Sequence, residues 1–168
     1  MAWKDVDFAA GLIRVTQRAD RYYEIGSPKT KSSQRTVPMP KFVANTLKEW
    51  RLRCPKSELG LVFPNGRGKV EDLANIINRA LVPAQVFSGV VDAEGKAKYT
   101  GMHCLRHYYA SWCINRTKDG GLGLPPKIVQ ARLGHSTLAM TMDTYGHLFQ
   151  GDDSEEMDKA IDAFMAVG

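Results

Sequence analysis

His103 and Arg106 stand three residues apart. On a helix that spacing projects both side chains from one face, about a turn apart, so both can approach the same anion. An imidazole and a guanidinium so placed suit a phosphate. They belong to the run His103-Cys104-Leu105-Arg106-His107; the next residues able to do chemistry are in Leu133-Gly134-His135-Ser136, and Tyr145 follows ten residues after His135. Arg106 can give two parallel donors to the nonbridging oxygens of a phosphate. Those oxygens are more negative in a pentavalent transition state than in the ground state, so the help is differential. His103 can exchange protons near neutral pH, His135 can donate a hydrogen bond to the same phosphate, and the Tyr145 phenol would have to lose its proton to act as a nucleophile.

These groups need rigid carriers. A helical pattern begins at Pro125-Pro126, and Gly134 can stop it in a left-handed conformation that hands the chain to His135 at a fixed angle. Ser136 is placed to cap a second short helix over residues 137–144, with Tyr145 at its end on a short arm. The helix that opens at His103 continues through Tyr108, Tyr109, Ala110, Trp112 and Cys113, whose spacing describes a core face.

In its order of His-x-x-Arg, Leu-Gly-His and tyrosine, the sequence resembles the tyrosine recombinases, the phage-type integrases. The resemblance implies their catalytic-domain fold and a tyrosine that attacks a DNA phosphodiester. It implies a 3′-phosphotyrosine link and a released 5′-hydroxyl, with no metal and no cofactor, and hence site-specific recombination of double-stranded DNA. Family members carry a lysine on a β-hairpin in a segment much like 29–38 here. Lys29 matches it best and Lys31 stands second; such a lysine can donate a proton to the departing 5′-oxygen. Lys31 and Arg35 in that segment, with Lys96 and Lys98 farther on, are expected to meet DNA. The family also uses an arginine in a helix about a dozen residues before the segment matched by Trp3 to Asp7, and an N-terminal DNA-clamping domain. The chain is therefore expected to be most of a catalytic domain, inactive alone, and Arg14 does not fill the missing role. The resemblance further implies a tetramer of protomers on DNA.

The remaining pattern is α+β, mainly helical, with a small antiparallel sheet near the N-terminus at 10–38, a helical core over 40–149 and a tail over 150–168. Leu12-Ile13-Arg14-Val15 alternates as a half-buried strand does, Tyr22-Tyr23-Glu24-Ile25 continues the alternation, and Arg35-Thr36-Val37-Pro38 reads as a returning strand. Residues 40–53 form an amphipathic helix with Phe42, Val43, Leu47 and Trp50 inward. Leu73, Ile76, Ile77, Ala80 and Leu81 give another its buried face. Residues 87–91 and 96–99 flank a turn as an inserted hairpin or loop, and 117–124 reads as loop. In the tail, Ser154 with Glu155 and Glu156 starts a helix whose stripe is Met157, Ile161 and Phe164, and the resemblance places that helix on a neighbouring protomer.

Composition agrees without deciding. The chain has 168 residues, 43% hydrophobic and 24% charged, enough for one domain with a core. The net charge of +5 is uneven, because the tail carries six acids and one lysine and leaves residues 1–149 at about +10. A basic body suits a phosphate-bearing partner. Three cysteines in no finger spacing argue for reduced thiols. No apolar run reaches about 18 residues and no signal peptide opens the chain, so the cytoplasm of a bacterial host, or its nucleoid, is the expected place. Three other readings stand beside recombination. His103, His107, Cys104, Cys113 and His135 could gather around a metal. The chain could be a DNA-binding module that never cleaves, or a type IB topoisomerase, which shares the tyrosine chemistry.

Overall fold

The computed structural model describes residues 1–149 together with 157, 158, 161, 162 and 164–166. Strands β1 (Val6–Asp7), β2 (Leu12–Val15) and β5 (Arg35–Pro38) form an antiparallel sheet in the order β1-β2-β5, with Val6 opposite Ile13 and Ile13 opposite Val37. Between β2 and β5 the chain makes a separate two-stranded ladder, β3 (Arg18–Ala19) with β4 (Ile25–Gly26). The sheet thus starts before residue 10. Tyr22 and Tyr23 do not continue a strand, because Tyr23 takes a φ of 66° in the connection between β3 and β4, and its hydroxyl donates to Asp72 at 2.6 Å. Arg14 pairs with Asp7 at 2.7 Å across the first two strands, which commits it to the sheet.

Helix α1 (Lys41–Arg53) follows the sheet, with Pro40 at its N-cap. It buries Ala44 and Leu47 against Val6, Met39 and Val62, with Trp3, Val43 and Trp50 packed around them. Trp50 donates its indole N–H to the Val62 carbonyl at 2.6 Å, fixing the segment after the helix. Phe42, expected in this face, is 80% exposed: it lies about 100° around the helix from Val43 and misses the stripe.

Helix α2 (Leu73–Ile76) is capped by Asp72, which accepts from the Ala74 and Asn75 N–H groups. A π-helical turn (Ile77–Leu81) joins it to α3 (Val82–Phe87). Pro83 explains the widening: it has no N–H to give the carbonyl four residues back and its ring crowds that carbonyl, so the turn before it loosens to an i→i+5 pattern. The expected apolar face is only partly inward. Ile76, Ile77 and Leu81 are half-buried, whereas Leu73 and Ala80 are exposed, and the buried side chain is Gln85. Its amide donates to the Tyr99 carbonyl at 2.8 Å and accepts from the Tyr99 N–H at 2.9 Å. Between those ends lies a small hairpin in which Val91 bridges Ala97 and Asp92 exchanges backbone bonds with Lys96 and Gly95. Phe87 closes α3 and is 95% exposed, so it belongs to the helix and not to the hairpin.

A second core is built by α4 (His103–Ile114), α5 (Pro126–Leu133) and α6 (Leu138–Tyr145), through Ala110, Cys113, Ile114, Val129, Leu133 and Tyr145. In α4 Tyr109 and Trp112 pack against this core, but Tyr108 is 73% exposed. Thr137, not Ser136, caps α6, its hydroxyl accepting from the Met140 N–H. In the tail Met157, Ile161 and Phe164 are helical and exposed, while Ser154, Glu155 and Glu156 lie outside the described residues. No helix among the described residues is long and apolar enough to cross a membrane.

The 117–124 segment does more than connect. The Leu122, Gly123 and Leu124 N–H groups donate to the carbonyls of Trp112, Asn115 and Cys113, satisfying the open end of α4. This return passes so close that a Cβ on Gly121 would sit 2.1 Å from the Asn115 oxygen. Gly121→Ala should therefore destabilise the chain by about 1–3 kcal/mol, read as a lower urea midpoint at unchanged m value.

Candidate active site

The site is assembled at the C-terminal end of α5. Gly134 there has φ 71°, its N–H bonds to the Gln130 and Ala131 carbonyls, and the His135 N–H reaches back to Gln130 at 3.1 Å. This is the left-handed stop expected of a helix-ending glycine. Gln130 then clamps His135 a second time, donating its side-chain amide to the His135 carbonyl at 3.1 Å. The imidazole is fixed as well: His135 Nδ1 lies 2.9 Å from Oγ1 of the fully buried Thr141. When Thr141 donates, the ring carries its proton on Nε2, the tautomer that can give a hydrogen bond to a phosphate oxygen.

Two guanidiniums close on the last carbonyls of the same helix. Arg106 donates to the Leu133 carbonyl at 2.6 Å, and Arg35 donates through Nε to the Arg132 carbonyl at 2.9 Å. Both sit at the negative end of the helix dipole. Burial, then the charge of Arg106, lowers the Arg35 pKa from its usual value. Among the described residues neither arginine is ion-paired with a carboxylate. Arg35 was expected on the DNA face; it occupies an inward position of β5 and ties that strand to α5. A side chain at Gly134 would meet Arg35 Nη1 and the Ser32 carbonyl at 3.0 Å, so the glycine serves this close approach as well as its φ.

Tyr145 ends α6 and is only 4% exposed, part of the second core and not on a free arm. Its ring lies nearly parallel to His135, with centroids 6.4 Å apart at 9°. Its hydroxyl is 2.9 Å from Nδ1 of His107. Burial raises the phenol pKa, and the Arg106 charge opposes that rise. His103, expected to share protons with Tyr145, instead packs edge to face on His107, with centroids 5.6 Å apart. His107 is thus the contact that the sequence reading did not assign to the site. The available signal was its i+4 spacing from His103 on one face.

Lys29 lies in the bend after β4 and Lys31 opens a short 3-10 turn (Lys31–Ser33) capped by Thr30; both lysines are exposed. Arg35 and Ser32 hold this segment against Gly134, which brings the lysine-bearing loop beside His135. Lys98 lines an open cavity of about 890 Å³ with Gln85, Tyr99, His103, His107 and Tyr108, whereas Lys96 sits in the hairpin beyond it. Among the described residues no three His, Cys, Asp or Glu side chains are grouped to hold a metal, so the histidine-cysteine alternative has no ligand set there.

The sequence profile of the Phage integrase family matches residues 1–151, and the chain belongs to that family. It is similar to a tyrosine recombinase XerC-like protein of Caldanaerobacter subterraneus, 29% identical over 98% of this chain and 45% of that protein. The transposase from transposon Tn916 of Enterococcus faecalis is 28% identical over 85% of this chain and 36% of its own length. The chain thus spans about half the length or less of the curated relatives it matches. In fold it resembles the Tn1549 transposon integrase in complex with circular intermediate DNA, with a TM-score of 0.66 at 24% identity, covering 95% of this chain and 52% of that one. The XerA recombinase gives 0.60 at 21% identity, over 97% of this chain and 49% of that one. The expected α+β recombinase fold is therefore the observed one.

Burial, then the charges of Arg106 and Arg35, lowers the pKa of His135 from its usual value. The unfolded chain consequently takes up this proton at higher pH than the folded one, so stability falls as pH drops through the unfolded value near 6.5 and returns as pH rises. His135→Gln should flatten that part of the pH dependence, measured as thermal midpoints between about pH 5 and 7.5.

Proposed function

We propose that this chain is the catalytic part of a longer enzyme that recombines DNA at specific sites, with Tyr145 as nucleophile. The observation that supports this most is the surroundings of one hydroxyl: a tyrosine oxygen on an imidazole, beneath a second imidazole, next to a guanidinium that no carboxylate among the described residues neutralises. Arg106 and His135 would hold the nonbridging oxygens of the scissile phosphate, where preorganised donors contribute most as charge builds in the transition state. Tyr145 would attack phosphorus to give a 3′-phosphotyrosine link and release a 5′-hydroxyl, and the reverse attack by a different 5′-end would rejoin the strand. Lys29, with Lys31 as the second choice, would protonate the departing 5′-oxygen. The chain needs no metal or cofactor for these steps.

The partners are double-stranded DNA and further protomers, four active sites acting in a tetramer, in the cytoplasm of a bacterial cell. A module that only binds DNA would have no use for a tyrosine held among two histidines and an arginine. Lys98, at the rim beside His103, is better placed to meet DNA than Lys96 in its hairpin turn.

In the full-length enzyme, Tyr145→Phe should abolish the covalent protein-DNA adduct on a nicked suicide duplex while gel-shift binding persists; an adduct from this variant would overturn the assignment. Lys29→Ala should slow adduct formation by about 10²-fold or more. Replacing the bridging 5′-oxygen with sulfur should relieve that defect, because a thiolate leaves without a proton. If Lys31→Ala and not Lys29→Ala shows this rescue, the proton comes from Lys31.

A further inference from the structure

The mechanism above needs a base for the Tyr145 proton, and the histidine of the His-x-x-Arg pattern is not the one in contact with it. Helix α4 presents His103 and His107 one turn apart on the same face, and α6 delivers the Tyr145 hydroxyl to the second of them, 2.9 Å from Nδ1. The three rings form a series. His103 and His107 are 5.6 Å apart between centroids, and His107 and Tyr145 are 5.7 Å apart. Tyr145 is buried, whereas both histidines line the open cavity bounded by Gln85, Tyr99 and Tyr108. A proton leaving the phenol therefore has one adjacent imidazole to enter and a solvent-facing route beyond it. His135 is not a rival for this role, because its Nδ1 is held by Thr141 and the hydrogen bond of the Tyr145 hydroxyl goes to His107.

We infer that His107 is the catalytic residue that accepts the phenolic proton of Tyr145, with His103 positioning its ring and linking it to solvent. This rests on the reading of Tyr145 as nucleophile. As the Oη–H bond breaks, the proton moves to Nδ1 of a His107 tautomer that already carries hydrogen on Nε2. The freed pair on Oη forms the bond to phosphorus, and the P–O5′ bond breaks with its electron pair going to O5′, which takes a proton from the hairpin lysine. On rejoining, the 5′-hydroxyl gives its proton back to the hairpin lysine as its oxygen attacks phosphorus, the P–O bond to Tyr145 breaks with its electron pair going to the phenolic oxygen, and His107 returns its proton there.

The test is the single-turnover rate of adduct formation on a nicked duplex by the full-length enzyme, followed between about pH 5.5 and 9.5. Wild type should rise with pH and level off. His107→Gln should be slower by about 10²-fold or more near neutrality, should keep climbing with pH without levelling, and should be partly restored by added imidazole. His103→Gln should slow the reaction and keep the level region. A His107→Gln enzyme with wild-type rate and profile would overturn the inference, as would loss of the level region in His103→Gln alone. An adduct formed by Tyr145→Phe would defeat the nucleophile assignment instead, and so separates the two failures. A readout that does not depend on a folded His107 variant is the ¹⁵N resonance of His107 Nδ1. Tyr145→Phe should shift it by removing the hydrogen-bonded hydroxyl, and an unchanged resonance counts against the inference.

Discussion

The last turn of α5 is where the molecule is joined. A helix that ends leaves carbonyls without partners, and here those carbonyls recruit the other elements. Leu133 takes Arg106 from α4, Arg132 takes Arg35 from β5, and Gln130 takes the His135 backbone that leads to α6. Elements as far apart as β5 and α6 are thereby referred to one point, and the groups proposed to hold a phosphate are also the groups that hold the fold. The left-handed glycine makes this possible twice over, by turning the chain and by leaving room for the arginine. A side chain there would press on Arg35 and on the Ser32 carbonyl of the lysine-bearing loop.

This joint also sets the charge of the site. Arg35 and Arg106 are drawn together at a helix terminus that favours positive charge, despite their mutual repulsion. Burial, then the charges of Arg106 and Arg35, keep His135 neutral more readily than an exposed histidine, which makes it a donor of a hydrogen bond and not a further full charge. The phenol is buried yet stands within the influence of Arg106. An incoming phosphate would find donors already oriented, so little reorganisation is left for the moment of reaction.

Much of this was legible in the sequence. Local rules found the glycine stop of α5, the start of α1 after Pro40 and a hairpin or loop in which 87–91 and 96–99 flank a turn, because each depends on neighbours in the chain. Strand alternation and the turn residues between them pointed to Arg35–Pro38 as a strand returning in the same small sheet as Leu12–Val15. The failures fall where distant contacts decide. Tyr22 and Tyr23 alternate like a strand, but Tyr23 turns and reaches Asp72, 49 residues away. Phe42 and Tyr108 look like core by type, yet nothing among the described residues covers them. Leu73 and Ala80 fit an apolar stripe that Pro83 and the π turn rotate out of phase. The pairing of His107 with Tyr145 spans 38 residues, and spacing alone offered His103 as readily.

The clasp between Gln85 and Tyr99 carries a different consequence. One side-chain amide copies the pairing of a neighbouring β-strand, binding both backbone groups of a residue 14 positions on, so the excursion between them is closed off at its base. Closing a longer loop at the same base costs only slightly more entropy, roughly 0.6 kcal/mol for each doubling of its length. The stretch from 88 to 98 is therefore a cassette: evolution or an engineer can lengthen, shorten or exchange it, and α4 still starts from the same place.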